Sequence, residues 1–155
     1  MEQTLVILKP DAVRRGLLGE IIARLERKGL RIAALKMARL GDEILREHYA
    51  HHAGKPFFPG LLAFMTSSPV VMMVIEGLDA VTVVRDLCGP TNCRKAPAGT
   101  IRGDYGMSQQ MNLIHASDSL ATARAEVARF FRAEEIHAYD RADVPVVYAA
   151  DERGH

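Results

Sequence analysis

The 155-residue sequence has no tryptophan, only two cysteines, and few aromatic residues, 6% of the total. Cys88 and Cys93 are too few for a disulfide framework, and their spacing matches no common metal motif. They read as two reduced thiols, which fits a cytoplasmic protein. An excess of one charge is missing as well, since 20 basic and 19 acidic side chains leave a net +1. A field able to hold nucleic acid or an anionic membrane is therefore not expected. Any anion site has to come from a local gathering of Lys and Arg. No apolar run is of membrane length; Val70 to Ile75 is strand length. Met1 to Thr4 lacks the basic segment of an export signal, and the Leu5 to Leu8 run is too short to act as one. Neither G-x-x-x-x-G-K-[ST] nor G-x-G-x-x-G occurs, so neither a P-loop nor a dinucleotide fold is indicated.

What is present is globular composition, 48% apolar and 25% charged, in a chain long enough to bury its own core. No repeat, low-complexity tract or linker divides it. The expectation is a single domain over 1–155, with a C-terminal extension from about residue 141.

Thr4 to Leu8 is an almost wholly apolar run with β-branched residues, the pattern of a strand buried on both faces. Leu17, Leu18, Ile21, Ile22 and Leu25 recur at helical spacing, and Gly29 stands at the C-cap. Leu30 to Leu40 reads as a strand whose alternation is blurred by alanines. Asp42 offers an N-cap to a short helix with Ile44, Leu45, His48 and Tyr49 inward. Gly60 to Met65 is a further short helix, and Pro69 to Ile75 the clearest strand. Asp79 to Cys88 is mixed. Its valines favour a strand, but the Asp79 cap, the Gly89 stop and the 81, 84, 88 spacing favour a helix, which is the reading taken. Gly89 to Gly106 is a long polar loop, of a length that is usually functional or disordered. Asn112 to His115 is a short strand, followed by a helix carrying Leu120, Ala123, Val127, Phe130 and Phe131 on one stripe. This order implies an α+β sheet with helices packed against it.

Among six histidines, His115 is the best placed for chemistry. It ends a strand directly before a helix start marked by Ser117, Asp118 and Ser119, where free N–H groups and a positive partial charge favour a phosphoryl group. A largely neutral imidazole is nucleophilic at pH 7 once its second nitrogen is fixed. Glu126, on the edge of the helix stripe, is placed to turn inward and fix it. The pattern alone equally suits a strand-end histidine and a solvated glutamate. Lys9, Arg85 and Arg102 stand at punctuated or strand-end positions, and spacing does not show that they converge. His48, His51 and His52 suggest zinc at helical spacing, but no further ligands follow. A solvated helix end is the reading there.

Longer strings narrow the choice. Asn112-Leu113-Ile114-His115-Ala116-Ser117-Asp118-Ser119 resembles the N-x-x-H-G-S-D-S active-site signature of nucleoside diphosphate kinases. Leu8-Lys9-Pro10-Asp11, Lys55-Pro56-Phe57-Phe58-Pro59-Gly60-Leu61 and Gly99-Thr100-Ile101-Arg102-Gly103-Asp104 resemble the same family in the same order. The likeness spans about residues 3 to 140. It implies a ferredoxin-like four-stranded antiparallel sheet with flanking helices. It also implies an enzyme that moves a terminal phosphate from a triphosphate such as ATP to a diphosphate through phosphorylated His115. By position Glu126 orients the histidine, and Ser117 hydrogen-bonds near it and its phosphate. Lys9, Tyr49, Arg85, Thr91 and Arg102 bind phosphates, Phe57 stacks on the base, and Lys9 and Asn112 reach the sugar. Mg²⁺ is expected on the nucleotide phosphates and not in a protein cage.

Four positions depart from the family pattern. Ala116 and Ala12 replace glycines, Gln109 replaces an apolar residue beside the base, and Cys93 falls where hexamers often carry proline. The assembly implied is a homo-oligomer of dimers, tetramer or hexamer, and the Val144 to Tyr148 segment could pack on a neighbouring subunit. The rivals to the enzyme are a nucleotide- or partner-binding relative without the chemistry and a purely structural subunit.

Overall fold

The computed structural model describes residues 1–153. Four strands, β1 (Glu2–Leu8), β2 (Arg31–Ala38), β3 (Val70–Gly77) and β4 (Ile114–Ala116), form one antiparallel sheet in the order β2-β3-β1-β4. Helices α1 (Pro10–Arg14), α2 (Leu18–Arg27), α3 (Asp42–His48), α4 (Phe58–Thr66), α5 (Ala80–Cys88), α6 (Ile101–Tyr105), α7 (Leu120–Phe130) and α8 (Val144–Val147) surround it. This is the α+β, ferredoxin-like architecture. No helix among the described residues is long and apolar enough to cross a membrane.

The two central strands explain why their sequences are apolar without alternation: both faces are covered. Leu5, Ile7, Met72 and Val74 lie in one layer with Leu45 of α3, Met65 of α4 and Val127 and Phe130 of α7. Val6, Leu8, Met73 and Ile75 lie in the other, with Ile21 and Leu25 of α2 and Val84 of α5. The blurred alternation of β2 has a cause in its register against β3, which slips between Ile32 and Ala34. Ala33 and Ala34 are consequently both buried.

Several elements differ from the sequence reading. A short helix not expected, α1, opens at Pro10, because proline at the first helical position loses no hydrogen bond. Helix α4 begins at Phe58, two residues ahead of the expected start. Asp42 is the first residue of α3, and Gly41 holds the cap position. The stretch from Gly89 to Gly106 is not one open loop. It contains a 3-10 turn, Cys93–Lys95, and α6, whose cap Thr100 accepts from Gly103 N–H at 3.0 Å.

The C-terminal segment also folds back onto its own chain. A Cβ at Gly29, held at φ +100°, would lie 2.6 Å from Val147 Cγ1. Arg141 donates to the carbonyls of Glu26 and Leu30 at the end of α2. The Val144 to Tyr148 segment thus packs in part within its own chain, through Val147, while Val146 is left exposed. Residues 154–155 of the expected extension lie outside the described residues.

Candidate active site

The pleat decides where His115 points. In an antiparallel pair, opposed residues share a face, and His115 is opposite Ile7, with Ile114 and Ala116 opposite Leu8 and Val6. His115 therefore enters the α3–α7 layer, while its two neighbours enter the α2–α5 layer. Helix α7 starts at the Ser119 cap, whose Oγ accepts from Thr122 N–H at 3.1 Å. Two turns on, Glu126 faces inward and is 3% exposed. Its Oε2 lies 2.6 Å from His115 Nε2. A carboxylate only accepts, so Nε2 carries the proton and the lone pair resides on Nδ1.

Ser117 does not make the contact expected of it. Its side chain is fully buried, and Oγ accepts from Leu5 N–H at 3.2 Å while its own N–H donates to Leu5 O at 3.2 Å. It ties the segment after His115 to β1, and among the described residues no hydrogen bond joins it to the imidazole.

The other candidates gather around one cleft of about 760 Å³, lined among others by Lys9, Tyr49, Arg85, Thr91, Arg102, Asn112 and His115. An adjoining region of about 390 Å³ shares Lys9, Tyr49, Thr91 and Asn112 and adds Phe57, Leu61, Gln109 and Gln110. The cleft thus has a cationic inner end and a more apolar mouth. Phe57 is 48% exposed there, while its neighbour Phe58 is buried in the core.

The cations are held, not loose. Arg102 donates to Asn112 O at 3.2 Å, Gly89 O at 2.8 Å and Ile114 O at 2.5 Å. Lys9 Nζ donates to Asn112 Oδ1 at 2.7 Å, and Asn112 Nδ2 reaches Thr91 O and Gln109 O at 3.1 and 3.0 Å. Arg85 is nearer the histidine strand, its Nη1 3.4 Å from Ala116 O. Burial, helped by the nearby Arg102 charge, holds the Lys9 ammonium down at about 8. Burial also pushes the Tyr49 phenol above its ordinary value; its Oη is buried with no partner.

Two features escaped the sequence reading. His48 keeps the inward place expected of it on α3 and is no part of a solvated helix end; what was missed is its packing against His115. It is 6% exposed, its ring centroid 4.7 Å from that of His115 and 5.1 Å from that of Phe130. Its Nδ1 accepts from Arg129 Nη1 at 3.2 Å and lies 3.4 Å from Glu126 Oε2, while Nε2 is buried without a partner. Burial, with the neighbouring His115 and Arg129, pushes this imidazole down to about 2, so it is neutral. The signal was its place beside Leu45 and Tyr49 on the inward stripe of α3. His51, three residues on, is exposed. The second feature is Leu113, fully buried at φ +74°. Its N–H donates to Asp11 Oδ2 at 3.1 Å and its carbonyl accepts from Lys9 N–H at 2.8 Å. These bonds hold a costly backbone conformation two residues before His115. Nothing in the local sequence marks it.

Comparison with known proteins agrees with this geometry. The family model described as nucleoside diphosphate kinase matches residues 2–136. The chain is 55% identical over 152 residues to a nucleoside diphosphate kinase of Parabacteroides distasonis, covering 98% of this chain and 99% of that protein. It is 56% identical over 135 residues to one from Staphylothermus marinus, covering 87% and 96%. Among solved structures, a Halobacterium salinarum nucleoside diphosphate kinase in complex with CDP superposes with a TM-score of 0.93 at 48% identity, covering 96% of this chain and 99% of that one. Likeness of this length and identity, in both sequence and fold, means that the chain belongs to the nucleoside diphosphate kinase family.

Proposed function

We propose that the chain transfers the γ-phosphate of a nucleoside triphosphate to a nucleoside diphosphate in two steps, with His115 carrying the phosphoryl group between them. The observation that carries this reading is the 2.6 Å contact of His115 Nε2 with Glu126, which leaves Nδ1 as the nucleophilic nitrogen. In the first step the Nδ1 lone pair forms a bond to the γ-phosphorus as the bond to the β-bridging oxygen breaks, releasing the diphosphate. In the second a diphosphate oxygen attacks the same phosphorus, and Nδ1 recovers its electron pair. Glu126 stabilises the imidazole as positive charge develops on it.

Lys9, Arg85 and Arg102, with Tyr49 and Thr91, neutralise and align the phosphates at the inner end of the cleft. Asn112 and Lys9 address the sugar, and Phe57 at the mouth stacks on the base. Stacking tolerates any base, which supports acceptance of both purine and pyrimidine nucleotides. The diphosphate seen in the Halobacterium relative, CDP, is a ligand of the expected class. Ser117 acts as a positioning residue, anchoring the backbone after His115.

Mg²⁺ would enter with the nucleotide. Among the described residues the chelating group within reach is His48, His115 and Glu126, and two imidazoles with one carboxylate suit this hard ion poorly. The phosphates therefore supply its ligands, and it neutralises their charge when bound.

The assembly is proposed to be an oligomer of dimers, joined along β2. That strand is an edge, and its Leu35 and Met37 are half exposed; an open apolar edge favours pairing with a second copy. Sedimentation velocity showing only monomer would remove this part. The two cysteines are free, which suits a reducing cytoplasm.

The whole reading is tested by labelling the protein with [γ-³²P]ATP and Mg²⁺, then chasing with unlabelled GDP. An acid-labile label that forms on the wild type, fails to form on His115→Ala and leaves as GTP is the expected result. ATP binding with no label in the wild type would leave a nucleotide-binding relative without the chemistry.

A further inference from the structure

We propose that His48, His115 and Glu126 also form an inhibitory site for a zinc-class divalent cation, one that competes with phosphorylation of His115. The proposal rests on His115 being the phosphate carrier and adds a regulation of that same site. One nitrogen from each histidine and one carboxylate oxygen lie within 4.8 Å of one another. Two imidazoles and a carboxylate are a recurring donor set for zinc, with a fourth position left for water.

The spacings come close to what such an ion needs. Ligand bonds of about 2.0–2.1 Å at tetrahedral angles place donor atoms roughly 3.3 Å apart. His48 Nδ1 and Glu126 Oε2 are already 3.4 Å apart, whereas His115 Nε2 and Oε2 would open from 2.6 Å. His48 Nδ1 accepts a hydrogen bond from Arg129, so its electron pair lies on that nitrogen and faces the cluster. The present claimant to that pair is Arg129, whose guanidinium is partly exposed and also bonded to the outward Glu47, so the ion would have to displace it.

Metal and phosphoryl group use different nitrogens of His115, yet they exclude each other. A metal bond at Nε2 takes the electron pair there, and the proton Nε2 carried moves to Nδ1. The ring remains neutral overall, but Nδ1 is now an N–H group without a lone pair to attack phosphorus. Zinc thus switches off the nucleophile by reversing its tautomer, without needing to fill the phosphate end of the cleft.

Zn²⁺ binding is measured by calorimetry on the intact protein without nucleotide, followed by phosphoenzyme formation at fixed free Zn²⁺ set by a metal buffer. The expected result is one strong site per chain, weakened at least about tenfold in His48→Ala and in Glu126→Gln and tightened in Arg129→Met, where the competing cation is gone. Protein already phosphorylated is expected to bind Zn²⁺ more weakly, and free Zn²⁺ to slow label incorporation in the wild type more than in His48→Ala. Thermal melts confirm that each variant is folded. Equal affinity across wild type, His48→Ala and Glu126→Gln would place the ion elsewhere and overturn the proposal, as would phosphorylation unaffected by saturating Zn²⁺. If the metal-free wild type takes no label, the reading of His115 as phosphate carrier fails instead. The calorimetry stands apart from that outcome.

Discussion

The two faces of the sheet are built from alternate residues of the same strands, yet they do different work. Beneath α2 and α5, Val6, Leu8, Met73 and Ile75 pack in an apolar cluster, interrupted by the buried Thr4 opposite Ile75. Beneath α3 and α7, Leu5, Ile7 and Val74 share their layer with His48, His115 and Glu126 at its rim. One face supplies stability through area removed from water. The other gives up part of that gain to hold ionisable groups at fixed separations. A one-residue slip of β4 would turn His115 into the dry face, so register serves chemistry as well as packing.

The contrast can be broken most strongly from the dry side. Ile75→Ala is expected to cost about 2–5 kcal/mol of stability, through lost burial and the cavity left behind. Specific activity per folded molecule should stay unchanged; denaturant titration and assay of the folded fraction check both. On the ionisable face, Glu126→Gln should do the reverse. It should lower kcat by about 100-fold while the melting temperature holds or rises, since the buried charge is gone. A collapse of stability in that variant would show that the carboxylate is structural.

Lys9 sharpens the comparison through pH. Its ammonium titrates at about 8 in the fold against an ordinary 10.5. Below pH 8 it is charged in both folded and unfolded chains, and its burial opposes folding. Between about 8 and 10.5 the native state sheds the proton first, so stability rises with pH. Nucleotide affinity should move the other way. We expect kcat/KM to fall about tenfold per pH unit above 8, with the limb displaced upward in Lys9→Arg. The smallest effect belongs to the mouth. Phe57→Ala should raise KM by about tenfold, from a stacking contribution of about 1–3 kcal/mol, and leave stability almost unmoved because Phe57 is half exposed.

Much of this was readable from residue order. The buried strands announced themselves by nearly unbroken apolar runs, and α5 was chosen correctly over a strand because cap, stop and spacing outweighed valine propensity. Sequence neighbours gave His115 its place before a helix start. What could not be read depends on distant contacts. His48 was legible as an inward helix residue, but its place beside His115 is set by Phe130 and Glu126, some eighty residues on. Arg102 looks like an ordinary surface charge until three carbonyls from two separate segments converge on it. Helix α6 was hidden in a Gly- and Pro-rich stretch because turn residues there cap a helix and do not replace one.

Leu113 carries a consequence for how such a sequence is free to drift. Its backbone asks for glycine, since a left-handed leucine costs roughly 1–2 kcal/mol. Its fully buried side chain asks for leucine, whose loss costs about 2–5 kcal/mol. The second demand is larger, so the strained residue is the better compromise, and few single substitutions improve on it. Mutational wandering is thereby steered to the exposed stretch just before, Gln109 to Met111. This rim of the cleft can diversify over generations while the turn that aims His115 stays fixed.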